Sequence, residues 1–281
     1  MNYQHIRLQP ISGSLGAIIH GVDLRNPLDD GTYQEIKRAL LDNLVIFFRD
    51  QDLTPGQQID FGRRFGDLHI HPFIPSLPEH KEIIVLKAKN GAEENLRLAN
   101  AWHPDLSYTS DPPLLGILRS IRPPSRGGDT MWVNLYRAYE TLSPKMQAIV
   151  SELSAWHDVT KTYRRQELHT PGGPERYGQT LKKAPPVLHP LVKVHPETGR
   201  KFLYLSELTT THIEGLREKE SNALLGMLFE HIDWKELHCR FYWEKNSIAM
   251  WDNRCTVHYA VGDYDEPREM HRVTVIGNVL R

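Results

Sequence analysis

Hydrophobic and polar positions change their period along the chain, and each period predicts an element. Thr32 and Glu35 form a capping-box pattern ahead of apolar residues that share one helical face, which predicts a helix. The continuous apolar run LVIFF at 44–48 predicts a buried strand. In TPGQQIDFGRRFG, Thr54 as N-cap and Pro55 in the first turn predict a second helix. The first part of the chain therefore mixes helices and strands.

Short strands dominate the remainder of the chain. A helix is predicted to start at Ser143 and to run through SELSAW, and another is predicted over residues 220–232. Short strands around few helices predict a mainly β fold with flanking helices, built on a jelly-roll-like core. The predicted strands are EIIVLKAK (82–89), LLGILRSI (114–121), DTMWVN (129–134), HCRFYWE (238–244), SIAMWD (247–252), TVHYAV (256–261) and HRVTVIG (271–277).

Residues 157–190 break this pattern, because they are rich in charge, glycine and proline. Structureless segments of this length are uncommon inside compact domains and often serve as lids. The total length of 281 residues fits one large domain. We therefore expect a single domain over residues 1–281, with an insertion or lid near 157–190.

The composition argues against several classes of protein. The chain has 34 basic and 35 acidic residues, and this balance supplies no attraction to nucleic acid or to an anionic membrane. Its two cysteines, Cys239 and Cys255, form no CxxC pair, and neither a signal peptide nor an apolar stretch of bilayer length is seen. A cytoplasmic protein is expected, since free thiols persist in a reducing compartment. No GxSxG, GxGxxG or P-loop motif supports a serine hydrolase or a nucleotide site.

The stretch NAWHPDLSY at 100–108 contains the first candidate for metal chemistry. Side chains at i and i+2 of an extended segment point to one face, so His103 and Asp105 could direct an imidazole nitrogen and a carboxylate oxygen at one point. Pro104 cannot donate to a strand ladder, which places the segment at the edge or end of a strand. The alternative is a turn in which Asp105 bonds its own backbone, and the pattern taken alone favours that turn.

The C-terminal run SIAMWDNRCTVHYAVGDYDEPREMHRVTVIGN offers further candidates. His258 lies among apolar residues, either as a third ligand or as a hydrogen-bonded core histidine, which is the commoner case. Arg268 and Arg272 are four residues apart and would face the same way in an extended strand. They either bind two anionic groups at the mouth of a metal site or form surface salt bridges with nearby acidic residues.

Taken together, the HxD pair, the distal histidine and the following arginine resemble the Fe(II)/2-oxoglutarate-dependent dioxygenases. The closer resemblance is to the taurine dioxygenase and 2,4-dichlorophenoxyacetate dioxygenase family. It runs along nearly the whole chain, through FGDLHIHP, EIIVL, WHPD, PPSRGGDT, PPVLHPLVKVHPETGRK, IAMWDNRCTVHYAVGDY and MHR. This resemblance implies a double-stranded β-helix, which is the jelly-roll or cupin-like fold, and a homo-oligomer, since the family commonly forms dimers or tetramers.

The resemblance also implies roles for individual residues. His103, Asp105 and His258 would hold Fe(II), while Thr130 and Arg268 would hold the far carboxylate of the co-substrate 2-oxoglutarate. Dioxygen is the third reactant, and oxidation of the substrate is coupled to decarboxylation of 2-oxoglutarate to succinate. Six further positions match substrate contacts or pocket positions of the family, namely His71, Ile74, Asn100, Tyr163, Leu208 and Arg272.

The predicted substrate pocket departs from the taurine pattern at the end away from Arg272 and His71. Ile74 stands where a tyrosine lies near the amine of taurine, while Tyr163 and Leu208 stand at phenylalanine positions. An apolar Ile74 and a smaller Leu208 favour a longer or more hydrophobic anion. The predicted substrate is therefore a small organic anion, either a taurine-like sulfonate or a longer, more apolar one. Hydroxylation beside the sulfur would release sulfite and an aldehyde.

Alternatives to this function stay open. The same chemistry on an alkyl sulfate ester would release sulfate, and an aryloxy or alkyl carboxylate is a further candidate. Outside enzymes, a non-catalytic cupin-like protein could bind a metal or an anion, although such a protein would not need both Thr130 and Arg268. Cys255 lies three residues before His258, and we interpret it as a small buried filler rather than a nucleophile.

Overall fold

The structure, a computed structural model, describes residues 3–72, 74–91, 99–161 and 173–277. Its strands are β1 (Arg7–Pro10), β2 (Ala17–His20), β3 (Val45–Phe48), β4 (Asp67–Leu68), β5 (Ser76–Leu77), β6 (His80–Ala88), β7 (Leu115–Arg122), β8 (Thr130–Asn134), β9 (Ser154–His157), β10 (Val187–Pro190), β11 (Val192–Val194), β12 (Lys201–Leu203), β13 (Thr210–Ile213), β14 (His238–Phe241), β15 (Ile248–Asp252), β16 (Thr256–Ala260) and β17 (Arg268–Ile276). Its α-helices are α1 (Asp30–Asn43), α2 (Pro55–Arg63), α3 (Leu135–Glu140), α4 (Pro144–Ser151), α5 (Gly173–Lys183) and α6 (Glu218–Ile232), and a 3-10 turn follows at Lys235–Leu237.

Two packed sheets form the core of the molecule. The larger sheet has nine strands in the order β1-β2-β3-β15-β7-β17-β6-β5, with β4 paired to β17, and the smaller has the order β14-β8-β16. Their inner faces meet through aromatic rings: Phe47 stacks on Phe241 with centroids 4.0 Å apart, and Trp132 lies 5.9 Å from Trp251. This arrangement confirms the predicted jelly-roll core with flanking helices.

Strand β17 separates two hydrophobic cores. Alternate residues of a strand point to opposite faces, so Arg268 and Arg272 share the inner face with Met270, which packs in the cluster between the two sheets. Val273 and Val275 lie on the other face, in a second cluster that also contains the buried apolar residues of α1 and α2. The two arginines therefore point into the jelly roll and not to the surface, where salt bridges had been the alternative.

The helix starts show which capping patterns the sequence predicts correctly. Thr54 caps α2 and Pro55 lies in its first turn, as predicted, and both bonds of a capping box with Gln57 are present in addition. The cap of α1 is Asp29, whose carboxylate accepts the N–H of Thr32, so the predicted capping box lies three residues too late. Glu35 instead accepts the backbone N–H groups of residues 4–6, and it thereby anchors the N-terminal segment.

The middle of the chain differs from prediction in two places. The helix predicted to run through SELSAW ends at Ser151, and residues 154–157 form β9 between β10 and β13, where both neighbours satisfy its backbone. The segment 157–190 is not all loop, because it contains α5 and the whole of β10. Residues 162–172 lie outside the described part, so a lid there stays a prediction. No helix within the described ranges is long and apolar enough to cross a lipid bilayer.

Candidate functional site

A short antiparallel bridge brings the two candidate histidines together. His258 lies on β16, and His103 pairs with it as an isolated bridge, donating its N–H to the carbonyl of His258 at 3.2 Å and accepting in return at 2.9 Å. The imidazole rings lie side by side, with centroids 4.3 Å apart. The HPD segment is therefore extended at His103 and lies at the edge of a strand, as the proline predicts.

Asp105 completes the cluster from the turn that follows Pro104. Its Oδ1 lies 3.9 Å from Nε2 of His258. One ligand atom from each of His103, Asp105 and His258 can be chosen so that all three lie within 4.8 Å of one another. The structure therefore brings together the three residues that the sequence singles out as metal ligands.

The protonation states of the three groups suit a metal ion. Burial lowers the pKa of His258 to about 3 and lowers that of His103, so both imidazoles are neutral near pH 7. A neutral His103 can donate from Nδ1 to the carbonyl of Ala101 at 2.7 Å, which leaves Nε2 as the ligand nitrogen. Burial would raise the pKa of Asp105, but the charge of the neighbouring Arg272 guanidinium and its hydrogen bond favour the ionised form, and the pKa is lowered. Asp105 is therefore a carboxylate.

The unsatisfied atoms of the cluster also fit a metal. Asp105 Oδ2 is buried and has no hydrogen-bond partner among the described residues, although buried polar atoms normally have one. Two imidazoles and one carboxylate on one side are the donor set that non-haem Fe(II) oxygenases use, with open positions opposite. The residues present therefore fit a single Fe(II) ion.

Two buried arginines lie on the inner face of β17, and one of them contacts the cluster. Arg272 donates from Nη1 to Asp105 Oδ1 at 2.6 Å. The Nε atoms of both Arg272 and Arg268 are buried without a partner within the part of the chain that the structure describes. A buried guanidinium N–H without an acceptor is costly, and a bound anion would satisfy it. The inner face of β17 thus offers a buried N–H donor for an anion at each of the two arginines.

Thr130 lies on the same face of the smaller sheet as His258. Strand β8 pairs with β16 so that Trp132 is opposite His258 and Thr130 is opposite Ala260. Residues two apart on a strand share a face, so Thr130 and His258 point the same way. The Thr130 hydroxyl is buried and accepts the indole N–H of Trp243 at 3.0 Å, which leaves its own proton to donate.

The remaining predicted pocket residues are less completely placed. His71 is half-buried and accepts the N–H of Ile74 at Nδ1, and burial followed by the charge of nearby Arg272 lowers its pKa to about 4. Asn100 packs its amide against Gly262, where a Cβ would collide with it. Leu208 is half-buried, and Tyr163 lies outside the described residues.

Sequence reasoning missed the contacts that hold these loops in place. Glu207 accepts the N–H of Trp102 at 2.7 Å and donates its own N–H to the carbonyl of Trp102 at 2.8 Å. Thr209 bonds the hydroxyl of Ser107 at 2.6 Å. The two neighbours of Leu208 are therefore tied to the segment that carries His103 and Asp105. A glutamate or threonine in a loop gives no periodic signal from which this could be predicted.

A second buried cluster lies around Asp252. Nε2 of His195 lies 3.0 Å from Asp252 Oδ2. Asp252 also binds Arg254 through two hydrogen bonds of 2.9 and 2.6 Å. Cys255 joins this cluster as a buried, free thiol, and burial raises its pKa well above the ordinary value, so it is a poor nucleophile.

Comparison with known proteins agrees with the fold. The family described as "Taurine catabolism dioxygenase TauD, TfdA family" matches residues 7–274. An alkylsulfatase from Acinetobacter baylyi is 34% identical over 98% of this chain and 86% of its own length. An alpha-ketoglutarate-dependent sulfate ester dioxygenase from Pseudomonas putida is also 34% identical, over 97% of this chain and 90% of its own.

Among solved structures, a taurine dioxygenase from Burkholderia xenovorans superposes with a TM-score of 0.83 at 37% identity, over 99% of this chain and 91% of its own. Both the sequence and the structural matches thus extend over nearly all of the chain. The chain therefore belongs to the TauD/TfdA family and is an alpha-ketoglutarate-dependent dioxygenase, an oxidoreductase that uses Fe(II), 2-oxoglutarate and dioxygen.

Proposed function

We propose that His103, Asp105 and His258 hold the Fe(II) ion and that Thr130 and Arg268 bind the far carboxylate of 2-oxoglutarate. The observation that carries the proposal is the convergence of three ligand atoms within 4.8 Å, with Asp105 Oδ2 buried and unsatisfied among the described residues. The unpartnered Nε of Arg268 and the hydroxyl of Thr130 supply donors for one carboxylate.

Iron with 2-oxoglutarate and dioxygen supplies the power to oxidise an unactivated C–H bond, and the protein supplies position and protection. The burial of His258, Asp105, Arg268 and Arg272 shows how little solvent reaches this face of the jelly roll. Arg272 neutralises part of the charge of Asp105 and keeps one donor available for a second anion. A substrate held there has its anionic head beside the metal ligands and its carbon chain directed by the pocket walls.

We propose that the substrate is an organosulfonate with an apolar chain, and that Arg272 and His71 bind its sulfonate group. In a neutral His71, Nδ1 accepts from Ile74, so Nε2 carries the proton that an anionic oxygen can accept. Hydroxylation of the carbon that bears the sulfonate gives an adduct whose C–S bond breaks, which yields an aldehyde and sulfite. The apolar Ile74 and Leu208, with Asn100 and Tyr163 as further pocket positions, suit a chain longer than that of taurine.

A sulfate ester is the second candidate, favoured because two relatives at 34% identity are named for sulfate esters. The same hydroxylation, at the carbon that bears the ester oxygen, would break a C–O bond and release sulfate with an aldehyde. An aryloxy or alkyl carboxylate is a weaker candidate. The guanidinium and imidazole donors would bind a carboxylate as they bind a sulfonate or a sulfate, so they do not favour it.

Product analysis with a matched pair of substrates tests this choice. Hexanesulfonate and hexyl sulfate have the same carbon chain, so they differ only at the head group. We expect succinate formation coupled to sulfite release from hexanesulfonate, at a higher kcat/KM than for taurine because the pocket wall is apolar. Coupled sulfate release from hexyl sulfate, without turnover of either sulfonate, would replace the sulfonate proposal with the ester.

Replacing the two arginines one at a time should separate their roles. Arg268→Ala is expected to raise the KM for 2-oxoglutarate, and Arg272→Ala the KM for the substrate, each about 10- to 150-fold. This corresponds to the loss of about 1.5–3 kcal/mol of charge-assisted hydrogen bonding. Arg119→Ala is the matched control, because Arg119 is also buried but pairs with Asp52 away from the cluster. Equal effects of Arg268→Ala and Arg272→Ala on both KM values would contradict the assignment.

The proposal retains the remaining expectations from the sequence. A cytoplasmic location is supported by two free, buried cysteines, and a dimer or tetramer by the family resemblance. A single domain with a covering segment near 157–190 also remains part of it. Light scattering coupled to size-exclusion chromatography would decide the oligomeric state.

A further inference from the structure

Asn253 holds the backbone of Asp105 from both sides. Its Oδ1 accepts the N–H of Asp105 at 2.7 Å, and its Nδ2 donates to the carbonyl of Asp105 at 3.1 Å. One side chain thus satisfies both backbone polar groups of the residue that supplies the carboxylate. The two residues are 148 positions apart in sequence, so this contact is purely tertiary.

Asn253 is itself held rigidly. It is 1% exposed, and its own N–H donates to the carbonyl of Leu114 at 2.8 Å. A second bond from Nδ2 reaches the carbonyl of Pro113 at 3.1 Å. Because every partner of the amide is a backbone group, its position depends on the fold and not on mobile side chains.

The turn at Asp105 needs such a restraint. Leu106, the next residue, has a φ of 51°, in the left-handed region that is unfavourable for a leucine. Backbone strain of this kind persists only where surrounding contacts enforce it. The carboxylate of Asp105 has one bond, from Arg272, while its other oxygen is unpartnered among the described residues. The backbone bonds from Asn253 therefore restrain the turn from which that carboxylate projects.

We propose that Asn253 is a positioning residue for the iron site, which fixes the carboxylate of Asp105 relative to His258 on the next strand. The inference rests on the assignment of Asp105 as an iron ligand. Only an amide of this length offers an acceptor to the N–H and two donors to carbonyls at once. A carboxylate at this position would present an oxygen to the carbonyls of Asp105 and Pro113 and repel them.

Metal binding without turnover tests the role. Mn(II) is titrated into the metal-free full-length protein by calorimetry, for the wild type, Asn253→Ala and the isosteric Asn253→Asp. We expect both variants to bind Mn(II) about 10- to 100-fold more weakly, as is typical when a partner that orients a ligand is removed. The Asn253→Asp variant preserves the volume of the side chain, so it decides the question if Asn253→Ala does not fold.

Gln51→Ala is the control for a merely structural effect. Gln51 is a buried amide that accepts one backbone N–H, from Leu24, and donates to two carbonyls, those of Val22 and Arg49. Gln51 has the same bonding pattern as Asn253, but its partners do not belong to the segment that carries His103 and Asp105. Its loss should therefore lower Tm without changing the Kd for Mn(II).

The outcomes separate this inference from the proposed function. Wild-type Mn(II) affinity in a folded Asn253 variant would overturn the positioning role while leaving the metal site intact. Equal weakening of Mn(II) binding in Gln51→Ala would also overturn it, because the effect would then be general loss of stability. Failure of the wild type to bind Mn(II) would instead contradict the assignment of His103, Asp105 and His258.

Discussion

His258→Ala is expected to reduce 2-oxoglutarate-dependent turnover to the level of the wild-type protein treated with a metal chelator. His258 would supply one of the three proposed ligand atoms, and its backbone is also half of the bridge that positions His103. The alanine variant keeps that backbone bridge but leaves only two ligands, which do not hold Fe(II) in a defined geometry. Succinate formation and anaerobic Fe(II) binding, measured on the same preparation, check the prediction.

A second buried histidine provides the control for this substitution. His231 is buried, and its Nε2 donates to the carbonyl of Ala138 in α3, which lies outside the ligand cluster. His231→Ala should lower Tm because a buried carbonyl loses its donor, yet it should retain iron binding and turnover. Full turnover in His258→Ala would contradict the metal-site assignment, as would loss of iron binding in His231→Ala at a temperature where that variant is folded.

Arg254→Ala is expected to lower the free energy of unfolding by about 3–5 kcal/mol, the usual cost of removing one partner from a buried ion pair. Asp252 is 1% exposed and accepts two side-chain hydrogen bonds from Arg254, and both are lost in the variant. The buried carboxylate then keeps His195 and the backbone N–H of residue 254 as partners, but no opposite full charge next to it in that direction. Glu197 also loses one ion-pair contact, since its Oε2 lies 2.5 Å from Arg254 Nη1. Urea unfolding at pH 7 measures the effect.

The pH of the unfolding measurement follows from the direction in which the pKa of Asp252 is shifted. Burial would raise the pKa of Asp252, but Arg254 and His195 outweigh burial and hold it well below the ordinary value. A depressed carboxyl pKa contributes stability above the unfolded-state value of about 3.9, and that stability is lost as the pH falls through the folded-state pKa. At pH 7 the whole contribution is therefore present in the wild type and can be lost in the variant.

An exposed ion pair provides the comparison. Arg200 and Glu140 form a salt bridge at 2.6 Å, and both side chains are more than 40% exposed. Glu140→Ala should therefore cost at most about 1 kcal/mol. If Arg254→Ala and Glu140→Ala destabilise the protein equally, the buried Arg254–Asp252 pair does not stabilise the fold more than an exposed ion pair does.

Local sequence patterns predicted those elements whose determinants are close together along the chain. Thr54 and Pro55 are adjacent, and the helix they predict begins where expected. The cap of α1 was misplaced because Asp29, outside the recognised pattern, competes successfully for the N–H of Thr32. Residues 154–157 form a strand because β10 and β13 flank them, and neither neighbour can be recognised from the segment itself.

At the candidate site, too, the sequence predicted some features and the tertiary structure decided the others. The motif around His103 and Asp105, together with His258, indicated an iron centre through resemblance, and alternation along β17 placed Arg268 and Arg272 on one face. The HxD pattern taken alone could not separate a metal site from a turn. The antiparallel bridge between His103 and His258 provides the geometry that favours the metal site.

The sequence by itself therefore determined the family, the mainly β architecture and the identity of the chemical groups, because these follow from residue types and short spacings. Only the tertiary structure decided which distant residues meet: Arg272 with Asp105 across 167 positions, Asn253 with Asp105 across 148, and His195 with Asp252 across 57. Periodicity specifies the face of a strand on which a side chain lies, but not the partner it contacts. Those partners are set by how the two sheets pack, which depends on the whole chain at once.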